Sequence, residues 1–245
     1  MSTTKPPPGR TPPGRAAAKA DRGLAVRLKT ARGRDAGSQR WLERQLNDPY
    51  VRAAKAAGWR SRAAFKLLEL DERFRLLRPG ARVVDLGAAP GGWTQVAVKA
   101  AGERGRVVAL DLLPMDPVPG ATVLLGDFND ESAERAVRDA LAGPADLVLS
   151  DMAPNTTGHA ATDHLRIVAL AELAADFARR VLAPGGAFVS KVFQGGAERD
   201  LLAALKRDYA TVRHAKPPAS RKDSAETYVV AQGFRAEGEP AARPA

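Results

Sequence analysis

The sequence predicts a doubly wound α/β fold, with seven mostly parallel strands in one sheet and helices on both of its faces. From residue 82 onward, short apolar runs of β type alternate with stretches of helical period, which is the pattern that parallel sheets produce. The first run, VVDL, leads directly into the glycine-rich turn GAAPGG. Ligands of such sheets bind outside the carboxyl ends of the strands, so this turn marks the expected binding edge.

The elements follow from the period of the apolar residues and from turn residues between them. Strands are expected near residues 82–86, 106–111, 121–126, 146–150, 186–193, 210–214 and 226–233. Helices are expected near residues 91–101, 130–142, 163–182 and 196–207. An earlier helix is expected to begin at Ser61 as its N-cap, to run to about Leu77 and to be stopped by Pro79-Gly80.

A length of 245 residues suits one catalytic domain with an appendage, which we expect at residues 38–235. Residues 1–37 form a basic extension rich in Pro and Gly that is expected to be disordered, as is the tail at 236–245. No stretch approaches the length of a membrane span, and no signal-peptide core is present, so a cytoplasmic protein is expected. With no cysteine and three scattered histidines, no metal centre is expected.

The net charge of +10 is concentrated at the N-terminus. Residues 1–62 contain 15 Lys and Arg against 4 Asp and Glu, whereas the remainder of the chain is close to neutral. Such a segment favours a polyanionic partner, above all a nucleic acid, although a solvated tail or binding to an acidic membrane gives the same count.

Within this segment, residues 38–62 are expected to form an RNA-binding arm that starts a helix or turn at Asp48-Pro49. Its expected RNA-binding residues, interleaved with two aromatic residues, are Arg52, Lys55, Arg60 and Arg62. Tyr50 and Trp59 could stack on unpaired bases, or they could simply hold the arm against the core.

The turn after the first strand has the spacing D-x-G-x-x-P-G-G, from Asp85 through Gly87 to Gly91 and Gly92. A nicotinamide-binding turn would show G-x-G-x-x-G instead. The glycines allow a ligand to approach the backbone closely. An acid at Asp85 suits a sulfonium and an amino group better than a pyrophosphate, so the expected cofactor is cationic at this end.

Two more acids end the next two strands. Asp111 stands where an acid accepts hydrogen bonds from ribose hydroxyls. Asp127 could accept a hydrogen bond from an adenine amino group, with Phe128 near the ring. Each acid alone could be an ordinary strand-end residue or a helix cap, but acids on successive strand ends reinforce one another.

Charged residues also stand at the ends of the later strands. Asp151 follows the fourth strand, Lys191 interrupts the apolar fifth strand, and Glu226 opens the last one. A lysine inside a strand is costly to bury unless it is paired or neutral, which marks Lys191 as functional unless its amine reaches water. The fold is expected to bring these three to the same edge as Lys66, on the helix before the first strand.

In these motifs the chain resembles the FtsJ/RrmJ (RlmE) family of ribosomal RNA 2′-O-ribose methyltransferases, over roughly residues 38–235. The segments that carry the resemblance are SRAAFKL, VVDLGAAPGGWTQ, LDLLPMDP, GDF, LSDMAPNTTG, FVSKVFQG and SRKDSAETYVVAQGF. The resemblance implies a Rossmann-like fold that binds S-adenosylmethionine. Its implied cofactor positions are Gly91, Trp93, Asp111, Asp127 and Asp151. Its implied catalytic tetrad is Lys66, Asp151, Lys191 and Glu226.

The resemblance further implies that the methyl group goes to a uridine ribose of 23S ribosomal RNA, with the assembled 50S subunit as partner. A monomeric enzyme is the default expectation. By resemblance Lys191 accepts the proton, while Lys66, Asp151 and Glu226 orient and tune it. Methylation of tRNA ribose, by relatives that share the tetrad, stays open. A non-catalytic ribosome-assembly factor is the alternative from another class, and a dehydrogenase is disfavoured by the turn.

Overall fold

The computed structural model describes residues 43, 46–154, 157–193, 199–221 and 223–235. The expected disordered extension at 1–37 and tail at 236–245 lie outside these residues, as does the start of the arm up to residue 42. In the described part of the chain, no helix is both long enough and apolar enough to cross a membrane.

Seven strands in the described ranges form one sheet, as expected. They are β1 (Arg82–Leu86), β2 (Arg106–Asp111), β3 (Ala121–Leu125), β4 (Ala145–Ser150), β5 (Leu182–Phe193), β6 (Tyr209–Ala215) and β7 (Glu226–Phe234). The helices are α1 (Pro49–Ala56), α2 (Ala63–Phe74), α3 (Gly92–Ala101), α4 (Glu131–Leu141), α5 (Ala160–Val181) and α6 (Arg199–Asp208).

The strand order is β3-β2-β1-β4-β5-β7-β6, and all neighbours pair in parallel except β7, which is antiparallel to both β5 and β6. The chain therefore moves outward from β1 to β3 and then returns to β4 on the other side of β1. This reversal makes the carboxyl ends of β1 and β4 the switch point, where doubly wound sheets bind ligands.

Two apolar layers enclose the sheet. On one side α5 contributes Phe177, which packs with Phe188 of β5 in the larger cluster. On the other side α2 contributes Leu67, which packs with Trp93 and Tyr228. The central strands read as continuous apolar runs because both of their faces are buried.

The ends of α2 differ from the expected ones. Ser61 is not the N-cap: Arg62 occupies that position without a side-chain cap, and the Ser61 hydroxyl is buried without a hydrogen-bond partner among the described residues. The helix ends at Phe74 because Arg75 adopts a left-handed conformation with φ of 53°. Pro79-Gly80 is therefore not what stops it. The tight packing of Ser61 against Gly92 explains its different role, since a Cβ on Gly92 would lie 2.3 Å from the Ser61 hydroxyl.

A new helix does begin at Asp48-Pro49, which was one of two alternatives. The Asp48 carboxylate accepts a hydrogen bond from the Tyr50 amide at 3.0 Å, and Pro49 occupies the first turn of α1. An aspartate N-cap followed by proline is a favourable helix start, because proline lacks the N–H that would otherwise need an acceptor.

The packing of α5 predicts the effect of a deletion in the core. Phe177→Ala removes a fully buried ring that meets Phe128 edge to face, at 6.3 Å between centroids. We expect it to lower the free energy of unfolding by about 3–5 kcal/mol in urea titrations followed by circular dichroism. Leu173→Ala, at a 44% exposed site of the same helix, is the control and should cost less than about 1 kcal/mol. Equal losses would contradict this description of the core.

Candidate active site

Lys66, Asp151, Lys191 and Glu226 meet at the strand-end edge of the sheet, as expected. Lys66 Nζ lies 2.8 Å from Glu226 Oε1 and 3.7 Å from Asp151 Oδ2. Lys191 Nζ lies 3.0 Å from Asp151 Oδ1 and 4.0 Å from Glu226 Oε2. Each lysine thus contacts both carboxylates, and the four charges balance within one compact cluster.

Lys191 has an environment that requires this pairing. It lies in the buried run of β5 and is only 7% exposed. Besides the carboxylate, its ammonium donates to the backbone carbonyl of Asp151 at 2.7 Å. A buried ammonium without such acceptors would be strongly destabilising, so the residue after β4 holds the lysine of β5 in place.

Two further side chains complete the cluster, and the sequence reasoning missed both. The Tyr228 hydroxyl lies 2.7 Å from Asp151 Oδ1 and 3.3 Å from Glu226 Oε1. The Ser220 hydroxyl donates to Glu226 Oε1 at 2.8 Å. Tyr228 could have been found, because it stands two positions after Glu226 in a strand and thus on the same face. Ser220 lies in the loop before β7, where no periodicity signals its position.

The charges of the cluster act on its titratable groups in opposite directions. Burial alone would raise the pKa of Asp151, but the positive charges of Lys191 and Lys66 and the hydrogen bond from Tyr228 lower it overall. Burial, followed by the negative charges of Asp151 and Glu226, raises the pKa of Tyr228 well above its ordinary value. Asp151 is therefore an anion and Tyr228 a neutral hydrogen-bond donor at neutral pH.

The glycine-rich turn is packed tightly by the protein itself. Gly87 has φ of 69°, and a Cβ there would lie 2.3 Å from Met152 Cγ. Gly91, with φ of 101°, precedes α3, and a Cβ there would lie 3.0 Å from Val118 Cγ2. Both positions therefore require glycine for backbone and packing reasons. These glycines were expected from the sequence to make room for a ligand. The sequence did not predict that the protein's own backbone conformation and side chains also require them.

Asp85 is deeply buried at the end of β1. Its carboxylate accepts a hydrogen bond from the Thr94 hydroxyl at 2.7 Å. Burial raises its pKa to about 7 in spite of that hydrogen bond, and the nearby negative charge of Asp151 contributes to the rise. A cation bound beside Asp85 would favour its charged form.

The other two strand-end acids brace the loops around them. Asp111 accepts from the amides of Ala89 and Leu113, each at 2.8 Å. Asp127 accepts from the amide and side chain of Asn129, each at 2.9 Å, and so stabilises the turn before α4. Each acid thus stabilises its own loop, as an ordinary strand-end residue does, which was the alternative to a role in cofactor binding.

Two aromatic residues near this edge belong to the core. Phe128 packs in the larger cluster against Phe177, and the expectation that it lies near an adenine ring stays a prediction. Trp93 has its ring 5.7 Å from that of Tyr228 and donates from Nε1 to the Ala63 carbonyl at 2.7 Å. As the second residue of α3, Trp93 can offer a ligand its backbone N–H, which a helix leaves without an internal acceptor.

The basic residues of the arm fall into two groups. Arg52 and Lys55 are exposed on α1. Arg62, by contrast, pairs with Asp48 at 2.5 Å and donates to the Ala219 carbonyl. Arg60 likewise donates to backbone carbonyls of neighbouring loops.

The aromatic residues of the arm hold it against the core, as the second alternative stated. The ring centroids of Tyr50 and Phe65 are 5.4 Å apart, and the Tyr50 hydroxyl donates to Glu69 at 3.1 Å. Trp59 packs against the cluster on the α2 side of the sheet.

The site agrees with comparisons to known proteins. A family model described as FtsJ-like methyltransferase matches residues 59–234. The chain belongs to the FtsJ-like methyltransferase family. Two curated relatives carry the name ribosomal RNA large subunit methyltransferase E. The relative from Granulibacter bethesdensis is 66% identical, and the match covers 89% of this chain and 94% of the relative. The relative from Acidiphilium cryptum is 68% identical, and the match covers 87% of this chain and 94% of the relative.

A solved structure of the same kind supports this membership. The crystal structure of a candidate ribosomal RNA methyltransferase from Plasmodium falciparum is 28% identical, with a TM-score of 0.65, over 72% of this chain and 98% of that one. Like other FtsJ-like methyltransferases, this enzyme uses S-adenosylmethionine as methyl donor, which confirms the expected cofactor.

The residues of this FtsJ-like enzyme fit that cofactor in chemical type. A cavity of about 50 Å³ at the glycine-rich turn is lined by Asp85, Gly87, Trp93 and Asp151, among others. A buried acid beside glycines and a helix N-terminus suits a ligand with a positive sulfonium and amino group and a negative carboxylate.

The raised pKa of Asp85 predicts how the stability of this methyltransferase depends on pH. Its ordinary pKa is 3.8 and its pKa in the folded protein is about 7, so the folded state binds the proton more tightly. The corresponding stability is present below pH 4 and is lost as pH rises through 7. We therefore expect Asp85→Asn to gain stability relative to the wild type between pH 4 and 7, by up to about 4 kcal/mol, and to show no further gain above.

Urea titrations of the ligand-free enzyme at several pH values measure this difference. Glu131→Gln, at a fully exposed carboxylate, is the matched control and should show little change with pH. A difference between Asp85→Asn and wild type that stays constant from pH 4 to 8 would show that Asp85 is charged throughout.

Proposed function

We propose that this enzyme methylates the 2′-hydroxyl of a uridine ribose in 23S ribosomal RNA. The observation that carries the proposal is the contact of two lysines with two carboxylates at the switch point of the sheet. The names of the relatives, which are large-subunit ribosomal RNA methyltransferases, favour this substrate. The proposal includes the assembled 50S subunit as the partner, a monomeric enzyme and a cytoplasmic location.

A cavity of about 420 Å³ adjoins the tetrad and provides room for the acceptor nucleotide. Lys66 and Glu226 line this cavity and also contact the other two members of the tetrad. Arg62 and Arg221 also line this cavity, and both pair with Asp48. A strongly polar cavity of this kind suits a sugar with its phosphate far better than an apolar ligand.

Proton transfer is the task of Lys191 in this proposal. When bound, S-adenosylmethionine supplies a methyl group activated by a positive sulfonium. Lys191 Nζ would accept the hydroxyl proton as a neutral amine, after its ammonium has released a proton to solvent, while the ribose oxygen would receive the methyl group and S-adenosylhomocysteine would leave. Asp151 accepts hydrogen bonds from Lys191 and thereby holds the resulting ammonium.

Lys66 and Glu226 act on position and charge rather than on the proton itself. Lys66 contacts both carboxylates that also contact Lys191, and it thereby helps to fix their positions. Glu226, held by Ser220 and Lys66, is placed to orient the ribose. A well-oriented hydroxyl in line with the methyl group accounts for much of the rate enhancement in such transfers.

Transfer of tritium from labelled S-adenosylmethionine tests the reaction and the substrate. The acceptors are 50S subunits, free ribosomal RNA and tRNA, and nuclease mapping locates the label. With Lys191→Ala we expect transfer to fall by at least about 100-fold, because general base catalysis is lost, while cofactor binding is retained. Lys206→Ala, at an exposed position of α6, removes a lysine far from the tetrad and should leave transfer unchanged.

The location of the label distinguishes the alternatives. Label on a ribose of 23S ribosomal RNA that disappears with Lys191→Ala supports the proposal. Label confined to tRNA would retain the mechanism but refute the substrate. Cofactor binding without label on any RNA would favour a ribosome-assembly factor.

The basic extension predicts a separate effect on RNA association. A variant that begins at Ser38 lacks most of the excess positive charge of the N-terminal quarter. We expect its association with 23S ribosomal RNA to be weaker and its dependence on salt to be shallower, because fewer counterions are released from phosphates. Filter binding at several salt concentrations measures this slope. Calorimetry should show unchanged affinity for the cofactor, and an unchanged salt slope would mean that these residues do not contact phosphate.

A further inference from the structure

Arg60 was expected to bind RNA, but its guanidinium group contacts the protein backbone on the cofactor side. Nη1 donates to the carbonyls of Asp116 and Pro90, at 2.6 and 3.3 Å, and Nη2 donates to the carbonyl of Pro117 at 2.5 Å. One side chain thus meets three carbonyl oxygens. Each of those donors would have to leave its carbonyl before it could bind a phosphate.

The three carbonyls belong to two different loops. Pro90 lies in the glycine-rich turn after β1, whereas Asp116 and Pro117 lie in the loop after β2. Asp111 joins the same two segments a second time, because it accepts from the amides of Ala89 and Leu113. The two loops that carry the candidate cofactor residues are therefore connected at two independent points.

The position of Arg60 is itself fixed without any ligand. Its backbone amide donates to Gln95 Oε1 of α3 at 2.8 Å, and Gln95 Nε2 donates to the Gly58 carbonyl at 3.2 Å. A Cβ on Gly91 would lie 3.1 Å from Arg60 Nη1, so the guanidinium lies directly against the turn. The segment before α2 thus holds the guanidinium group of Arg60 in place beside the glycine-rich turn.

We propose that Arg60 is a positioning residue for the S-adenosylmethionine site and not a ligand of RNA phosphate. Its planar guanidinium reaches carbonyls of both loops at once, which the single nitrogen of a lysine cannot do with the same geometry. The inference rests on the use of this cofactor by the family and is independent of which RNA is methylated. Lys55, exposed on α1, serves as the comparison for a basic residue of the arm that faces solvent.

Two binding measurements separate this role from phosphate binding. Calorimetry with S-adenosylhomocysteine reports on the cofactor site, and filter binding of transcribed 23S ribosomal RNA reports on RNA. We expect Arg60→Ala to weaken binding of S-adenosylhomocysteine by about tenfold and to change RNA affinity by less than about twofold. Lys55→Ala should show the reverse pattern, with weaker RNA binding, a shallower salt slope and unchanged cofactor affinity.

Arg60→Lys tests whether the geometry or the charge is needed. It keeps the positive charge but lacks the planar fork, so we expect normal RNA affinity together with cofactor affinity that stays several-fold below wild type. In steady-state assays, Arg60→Lys should raise KM for S-adenosylmethionine with little change in kcat or in KM for RNA. Because both binding assays are independent of methyl transfer, failure of the proposed reaction would not be mistaken for failure of this inference.

Three outcomes would overturn the inference. Weaker RNA binding with unchanged cofactor affinity in Arg60→Ala would make Arg60 an RNA ligand, as the sequence suggested. Full cofactor affinity in Arg60→Lys would show that charge alone suffices. A loss of cofactor affinity in both Arg60→Ala and Arg60→Lys, matched in both by a fall in melting temperature below the assay temperature, would assign a general structural role to Arg60.

Discussion

The pairing of Lys191 with Asp151 is the interaction on which the candidate site depends. An ammonium group in the buried run of β5 is tolerable only because a carboxylate and a backbone carbonyl at the end of β4 accept its hydrogen bonds. The parallel pairing of β4 and β5 sets this contact, because Ser150 and Ser190 are register partners. Asp151 directly follows Ser150, and Lys191 directly follows Ser190, so the two charged residues lie side by side. A change of one residue in that register would place the lysine in the core without a partner.

The antiparallel β7 completes the site from the other direction. Lys191 is the register partner of Tyr228, and Phe193 is the partner of Glu226, so the start of β7 lies beside the end of β5. The hydroxyl of Tyr228 and the carboxylate of Glu226 thereby approach Asp151 although they lie far from it in sequence. Three strands and one helix therefore fix the tetrad through main-chain pairing, which keeps the charged groups in place before any substrate binds.

Most of the fold and the identity of the tetrad could be predicted from the sequence because both follow from strong local signals. Apolar β runs gave the positions of the strands along the chain, and charged residues at their ends are conspicuous. Helix ends were predicted less well: α2 stops at a left-handed arginine, which no sequence rule indicates, and Ser61 packs against Gly92 instead of capping the helix. The contact of Phe128 with Phe177 could not be predicted, because it depends on how α5 packs against the sheet.

Charge counting could not separate the two kinds of arginine in the arm. A sequence records that Arg60 and Arg62 are positive, but not that the first is bonded to three carbonyls and the second to Asp48. Cations of the arm that already have acceptors within the protein are not available to phosphates. The arm can therefore neutralise fewer phosphates than its formal charge suggests. The site thus has two differently built halves: strand register holds the groups assigned to proton transfer, whereas side chains that bridge loops, Arg60 and Asp111, hold the half assigned to the cofactor.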